Sequence, residues 1–448
     1  MEEWTDADQH VERAHEHYQA GRWDDAEREL RSALARHPWR TDWMFNLALT
    51  LEAAGKFRDA VRTLEEAVSI DPNDYQALVW LGVNLLRVGD ASSALSALER
   101  ARRADQDRPE AFVHQIEAHA RLGDHDAAEH AFYRVLQLGS GHAEAYANMG
   151  EALMQRGDWA QARACFERAS AEDPTMPRLS ARLGAAYEAQ GNREKARECY
   201  LAELRAHPGD IETLLSFGRL SLSMGRVTEA GEKLRRVLEL EPTCADAQYL
   251  LGEVAVRQHR TREALQAFRT AVRLDGAHPD AGRRLARLLL SQGQLVEARR
   301  LLRRELARVL SKPSRACPEA LAELGELMLD ARLWRAAARA FSTLHELRPD
   351  EALTLHLKGV ALFEAGDRTA GMEATRAALR RRPDLLSALH NMALACIQER
   401  QWTRARCYIA QALRVDPEDH GVRRLGLLLR LHQMYARARQ VLRFGATG

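Results

Sequence analysis

The chain contains 448 residues, of which 46% are hydrophobic and 29% charged, and its formal net charge is +1. The longest stretch without Asp, Glu, Lys or Arg runs from Leu385 to Gln398, and its 14 residues are too few and too polar for a membrane span. Six cysteines occur singly without a C-x-x-C pair, which argues against a zinc site or a disulfide framework. The N-terminal sequence MEEWTDADQH has no segment typical of an export signal, so a cytoplasmic protein is expected.

Eight prolines recur with a fixed period along the chain. They are separated by 34 residues, by three times 34, or by three times 34 plus five, and they are Pro38, Pro72, Pro174, Pro208, Pro242, Pro349, Pro383 and Pro417. A period of this length predicts a solenoid of tandem repeats.

In chain order, the period predicts five segments. They are an N-terminal extension at 1–6, nine repeats at 7–312, an inserted loop at 313–317, three repeats at 318–418, and a partial capping repeat with a short tail at 419–448. The insertion from Pro313 to Cys317 is interpreted either as a hinge or as a fault in the repeat register.

Small residues occur at fixed positions within each repeat. Positions are numbered so that the recurrent proline is position 32 of its repeat. Position 8 is Gly or Ala in twelve of thirteen repeats, and position 20 is Ala in twelve, so we expect these two positions to face each other across a helix pair. Position 15 is Gly in nine repeats, as a helix C-cap with a left-handed backbone requires. Aromatic residues at positions 17 and 24 are predicted to pack between neighbouring helices.

The pattern resembles that of the tetratricopeptide repeat family over essentially the full length. One closely matching motif is Leu183-Gly184-x-x-Tyr187, followed by Gly191, Ala196, Tyr200 and Pro208, and the repeat that contains Met149-Gly150 matches equally closely. The resemblance implies an all-α, right-handed superhelical solenoid of about 13 helix-turn-helix repeats. It does not select one function, because one repeat fold serves many.

One face of each first helix remains free for a partner. At 100° per residue, positions 2, 5, 6, 9, 12 and 13 point away from the packed positions 4, 7, 8 and 11. In tetratricopeptide repeat proteins the free positions line the concave groove. The sequence therefore predicts a protein-interaction scaffold or adaptor that binds proteins or peptides in this groove.

An apolar cluster is predicted on this free face. Its members are Phe45, Leu49, Val79, Trp80 and Val83. Exposed apolar patches usually mark a contact surface, so the cluster is a candidate anchor for a partner's apolar segment. The alternative is that it packs against neighbouring first helices or caps the N-terminal end.

Acidic residues lie beside the apolar cluster and favour a basic partner. They are Asp42, Glu52, Glu110 and Glu117.

Two polar groups on the free face are further candidates. Asn148, Arg178 and Arg182 partly match the carboxylate clamp of some family members, but Val113 and Glu117 stand where the clamp needs Lys and Asn. These three residues are therefore interpreted as an anion or peptide-backbone site, against the alternative of a solvated groove wall.

The second polar group lies in the basic part of the chain and consists of Arg283, Arg284 and Arg287.

Charge is distributed unevenly between the two parts of the chain. Residues 1–174 contain 19 Lys or Arg and 32 Asp or Glu, whereas the rest contains 46 and 32. Such a field favours partners of opposite sign. The alternatives are a solvated arginine-rich surface, head-to-tail self-association, two differently charged partners, or nucleic-acid binding by the basic half.

Motifs that carry enzymatic chemistry are missing from the sequence. It contains no H-E-x-x-H, P-loop, G-x-S-x-G or dinucleotide fingerprint, and no catalytic, cofactor-binding or metal-binding residue is predicted. The expected function is non-enzymatic, with a regulatory or targeting subunit of an enzyme on another chain as an alternative.

Overall fold

A computed structural model describes residues 2–139, 141–311 and 317–444. Within these ranges the chain forms 25 helices and no strand. The residues at 313–316 and 445–448 lie outside the described part, so the predicted hinge and the tail are not characterised, except that Cys317 directly precedes a helix.

The helices alternate between the first and the second helix of each repeat. The first helices are α1 (Glu2–Gln19), α3 (Thr41–Ala53), α5 (Tyr75–Val88), α7 (Glu110–Leu122), α9 (His142–Arg156), α11 (Leu179–Ala189), α13 (Ile211–Ser223), α15 (Ala245–Arg257), α17 (Ala281–Ser291), α19 (Pro318–Asp330), α21 (Ala352–Glu364) and α23 (Leu386–Gln398). The second helices are α2 (Trp23–Arg36), α4 (Phe57–Ile70), α6 (Ala91–Ala104), α8 (His125–Leu138), α10 (Trp159–Glu172), α12 (Arg193–Ala206), α14 (Val227–Leu240), α16 (Thr261–Leu274), α18 (Leu295–Leu310), α20 (Trp334–Leu347), α22 (Arg368–Arg381) and α24 (Trp402–Val415). The last helix is α25 (His420–Phe444).

The two ends of the array differ from the regular repeats. Helix α1 begins at Glu2, so the segment at 1–6 extends the first helix instead of preceding it. Helix α25 continues for 25 residues where the earlier repeats turn, so the last repeat consists of one long helix without a second helix.

The chain divides into two compact units, Met1–Arg226 and Val227–Gly448. The N-terminal unit contains α1 to α13, and the C-terminal unit contains α14 to α25. Each unit has apolar cores formed by first and second helices of consecutive repeats.

The small residue at position 8 accommodates a large side chain at position 24. A β-carbon on Gly150 would lie 2.5 Å from Cε1 of the buried Phe166, and one on Gly252 would lie 2.5 Å from Cε1 of Phe268. The expected contact between positions 8 and 20 is present through the backbone, since a β-carbon on Gly184 would lie 3.3 Å from the Ala196 carbonyl oxygen. The side chain nearest to position 8, however, comes from position 24.

The turn between the two helices of a repeat has a left-handed residue at position 15. The nine predicted glycines all have positive φ, for example 94° at Gly89. Three of the four repeats without this glycine have the same backbone, with φ of 58° at His259, 55° at Arg332 and 58° at Arg400. A single left-handed residue therefore defines every one of these turns, whatever its side chain.

Aromatic residues at positions 17 and 24 differ in burial. Position 24 is buried, as expected, at Phe132, Phe166, Tyr200, Phe268 and Phe341. Position 17 begins each second helix and lies at the edge of the packing. Trp23, Phe57, Trp334 and Trp402 are accordingly only half-buried, and Trp159 is 38% exposed.

Candidate partner-binding groove

The N-terminal unit contains an open groove of about 820 Å³, here called the acidic groove. Its walls come mainly from α5, α7 and α9, with further residues from α3, α11 and α13. The apolar lining includes Val79, Trp80, Val83, Leu86, Ala120, Ala147, Ala152 and Met176. The groove is thus formed by the free positions of consecutive first helices.

Trp80 is the largest apolar side chain of this lining. It is half-buried, and its ring lies edge-to-face with Phe45, with centroids 6.3 Å apart. Val79 is buried, while Val83 is half-buried on the next turn of α5. Phe45 and Val79 thus contribute to the packing, whereas Trp80 also borders the groove, where a partner could contact it.

Leu49, the fifth member of the cluster, lies elsewhere. It lines a separate cavity of about 670 Å³ between α1, α2 and α3, here called the N-terminal pocket.

Carboxylates dominate the charge of the acidic groove. Six glutamates line it, namely Glu52, Glu110, Glu117, Glu144, Glu151 and Glu212, against the three arginines Arg87, Arg121 and Arg182. Some of these charges are already paired: Arg121 Nη2 lies 2.6 Å from Glu117 Oε1, and Arg182 Nε lies 3.2 Å from Glu151 Oε1. Glu144 forms no salt bridge with any other described residue. Glu110 and Glu212 also form salt bridges, with Arg108 and Arg178 just outside the lining. The remaining negative charge of the groove therefore comes from Glu52 and Glu144, which face Arg87.

Burial changes the protonation behaviour of three groups in the groove. It raises the pKa of the Glu151 carboxyl, which the nearby Arg182 only partly offsets, and it also raises the pKa of Glu52. Burial lowers the pKa of His114, against the attraction of Glu144, so the imidazole is neutral at pH 7. His114 therefore does not compensate the glutamates at neutral pH.

The three residues of the proposed anion site are only partly brought together. Asn148 and Arg182 both line the acidic groove, where Asn148 Nδ2 donates a hydrogen bond of 3.0 Å to the Val113 carbonyl. Arg178 lies outside the lining and forms salt bridges with Glu212 and, at 3.6 Å, with Asp210. Both arginines thus already have carboxylate partners.

The three arginines of α17 line a different cavity, of about 580 Å³, in the C-terminal unit. Arg283 Nε and Arg287 Nη2 each lie 2.8 Å from the Glu323 carboxylate, and Arg284 Nε lies 3.1 Å from Glu253. The cavity is therefore a network of ion pairs in which acidic residues balance the arginines.

The sequence pattern contained a signal for three further groove residues that were not predicted. Glu144 and Glu212 occupy position 2 of their repeats, as the predicted Glu110 does, and Glu151 occupies position 9, as the predicted Glu117 does. Both are free-face positions. Applying the free-face rule to consecutive repeats would have identified these three glutamates.

Two kinds of feature are absent from the part of the chain that the structure describes. It contains no group of three His, Cys, Asp or Glu side chains placed to hold a metal ion. None of its helices is both long enough and apolar enough to cross a bilayer.

Comparison with known sequences identifies one kind of repeat. One sequence model of the tetratricopeptide repeat matches residues 11–75, 148–211 and 215–279, and a second matches 51–113, 119–175 and 255–309. A search of curated proteins gives no significant match.

Solved structures match this chain at low sequence identity and with TM-scores below 0.5. Yeast Tom70 is 13% identical, with a TM-score of 0.38 over 97% of this chain and 96% of its own. PilF of Pseudomonas aeruginosa is 19% identical, with a TM-score of 0.40 over 46% of this chain and 93% of its own. The human IFIT1 dimer with m7Gppp-AAAA is 14% identical, with a TM-score of 0.44 over 76% of this chain and 90% of its own.

Proposed function

Because the chain belongs to the tetratricopeptide repeat family, whose members are protein-interaction scaffolds, we propose that it binds a basic, amphipathic segment of a partner protein in the acidic groove. We further propose that it acts by binding alone, without catalysis. The observation that carries the proposal is the combination of an apolar lining around Trp80 with the carboxylates of Glu52 and Glu144, which form no salt bridge with another described residue.

The apolar lining and the carboxylates of the groove would have different roles in recognising the partner. Half-buried aromatic side chains often contribute much of the binding energy, and Trp80 borders the groove while its ring packs edge-to-face with Phe45. The surrounding carboxylates attract a basic segment and disfavour an acidic one. A partner with an apolar residue flanked by Lys or Arg would satisfy both.

The nucleic-acid alternative has weaker support. It would use basic residues such as Arg283, Arg284 and Arg287, but their guanidinium groups are already paired with Glu323 and Glu253. Phosphate binding there would first have to break these pairs.

Selection from a random peptide library tests the proposed specificity directly. We expect peptides retained by the wild-type protein to be enriched in Lys and Arg around an aromatic or branched aliphatic residue. A selected peptide should then bind Glu144→Lys about threefold to tenfold more weakly by fluorescence anisotropy, because this change reverses a charge on the groove wall. Glu65→Lys on α4 is the matched control, since Glu65 is exposed and outside the groove. Enrichment of acidic peptides, or equal losses in the two variants, would contradict the proposal.

The affinity for such a peptide should fall as the pH is lowered from 7 towards 5. Burial raises the pKa of Glu52 and Glu151, so these carboxylates begin to lose charge above the usual glutamate range. The sign for folding is opposite, because a carboxyl whose pKa is raised in the folded state favours folding as it becomes protonated. Weaker binding should therefore appear without loss of the helical circular dichroism signal. A Glu151→Gln variant should show a shallower pH dependence, and an identical profile would contradict the role of Glu151.

A further inference from the structure

Helix α25 has two apolar faces, and only one of them is packed. Val422, Leu425 and Leu429 are buried in the core that α25 shares with α23 and α24. Leu427, Leu431 and Met434, here called the α25 stripe, are 60%, 61% and 66% exposed. At 100° per residue the stripe points almost opposite to the buried face. Because the last repeat has no second helix, nothing in the described part of the chain covers the stripe.

The stripe lies in a part of the sequence whose charge is one-sided. From His420 to Gly448 the chain contains six arginines and no Asp or Glu. Arg424 and Arg430 flank the stripe on α25, and neither forms a salt bridge with another described residue. An apolar surface bordered by such cations fits a partner surface that is apolar at its centre and acidic at its edge.

The N-terminal pocket has this complementary character. Its apolar lining includes Val11, Tyr18, Leu30 and Leu49. Asp8 and Glu12 stand at its edge, one turn apart on α1, and both are exposed without a salt bridge to another described residue. Its volume of about 670 Å³ lies within the range of sites that enclose several side chains.

We propose that the α25 stripe of one molecule docks into the N-terminal pocket of a second copy. Leu427, Leu431 and Met434 span two turns of helix, about 10 Å, and enter as the apolar anchors. Arg424 and Arg430 then face Asp8 and Glu12 of the second copy. Both surfaces belong to the same chain, so each molecule supplies one of each and the two are always present in equal amounts.

Such an interface joins two different surfaces, so the second molecule still has a free α25 stripe. Assembly is therefore open-ended unless the rotation between molecules closes a ring. The N-terminal pocket shares no lining residue with the acidic groove, so the inference stands independently of the proposed function.

Sedimentation velocity over a concentration series of the full chain tests the docking. We expect the average mass to rise from the monomer value of 50.5 kDa to beyond twice that value, and to return towards the monomer as NaCl is raised. A wild-type protein that stays monomeric at about 100 μM and low salt would overturn the proposal.

Two double variants, each of which lacks one of the two proposed docking surfaces, test which surfaces form the interface. Leu427→Ser with Leu431→Ser removes the stripe, and Asp8→Arg with Glu12→Arg reverses the pocket edge. All four residues are exposed, so the fold should be retained. Each variant alone should be monomeric, whereas an equimolar mixture should form a single dimer, because one partner keeps its pocket and the other keeps its stripe.

Val296→Ser is the matched control for the stripe variant. Val296 is 85% exposed on α18, so this change also removes an exposed apolar side chain, and it should leave assembly unchanged. Assembly that persists in either blocked variant, or a mixture that remains monomeric, would overturn the proposal.

Discussion

Replacing Phe166 with alanine is expected to lower the free energy of unfolding of the N-terminal unit by about 3–5 kcal/mol. Phe166 is fully buried at position 24 of its repeat, where its ring lies against Gly150 of the paired helix. Truncation removes the apolar contacts of the ring and leaves a cavity that rigid helices fill poorly. Urea titration followed by circular dichroism, together with hydrogen exchange of the α9 and α10 amides, measures the loss.

Tyr133→Ala is the control for this experiment, because Tyr133 is an aromatic residue on α8 that is 59% exposed. It should change stability far less than Phe166→Ala. Equal losses in the two variants would contradict the importance of position 24.

Gly150 allows the same contact to be tested from the other side. Gly150→Ala should destabilise the wild type by about 1–3 kcal/mol, because its β-carbon would lie 2.5 Å from the Phe166 ring. In the Phe166→Ala background the added methyl group has room, so the double variant should lose less than the sum of the single losses. Additive losses would mean that the close approach does not determine the preference for glycine.

Trp80→Ala is expected to weaken binding of a selected basic peptide by roughly thirtyfold, which corresponds to about 2 kcal/mol. The indole borders the acidic groove and is held by Phe45, so truncation removes an anchor that is already ordered before the partner arrives. Fluorescence anisotropy gives the affinity, and circular dichroism reports whether the variant keeps its helical content.

Trp159→Ala provides a matched control for Trp80→Ala. Trp159 is also partly exposed, but it starts the second helix α10 outside the acidic groove, so its loss should leave the affinity unchanged. If Trp80→Ala binds as well as the wild type while folded, Trp80 is not the anchor. If it unfolds, Glu144→Lys still tests the groove, because Glu144 is exposed and unpaired among the described residues.

The fold was largely predictable because its information is local and repeated. The proline period placed α3 at Thr41, α5 at Tyr75 and α13 at Ile211, where these helices begin. Because the same pattern occurs in twelve repeats, its period can be recognised even where a single repeat departs from it. The long α25 was not anticipated as one helix, because the last repeat has neither the glycine nor the proline that ends earlier helices.

The candidate site was predictable in position and less so in chemistry. Helical geometry alone placed Trp80, Val83, Asn148 and Arg182 on the groove wall. It did not predict that Arg182 pairs with Glu151, or that Arg283 pairs with Glu323, 40 residues away in sequence. Such pairs depend on the choice of rotamers on two adjacent repeats, which a pattern of positions does not contain.

The turns of repeats 8, 10 and 12 keep a left-handed backbone at His259, Arg332 and Arg400, where most repeats have glycine. Such a residue costs about 1–2 kcal/mol. The buried side chain at position 24 of the same three repeats, which is Phe268, Phe341 or Ile409, contributes about 2–5 kcal/mol to holding the helix pair together. Packing between the helices therefore outweighs the local preference of the turn. Replacement of the glycine by another residue therefore leaves the helix pair folded. The sequences of the repeats can diverge more quickly than their backbone structures.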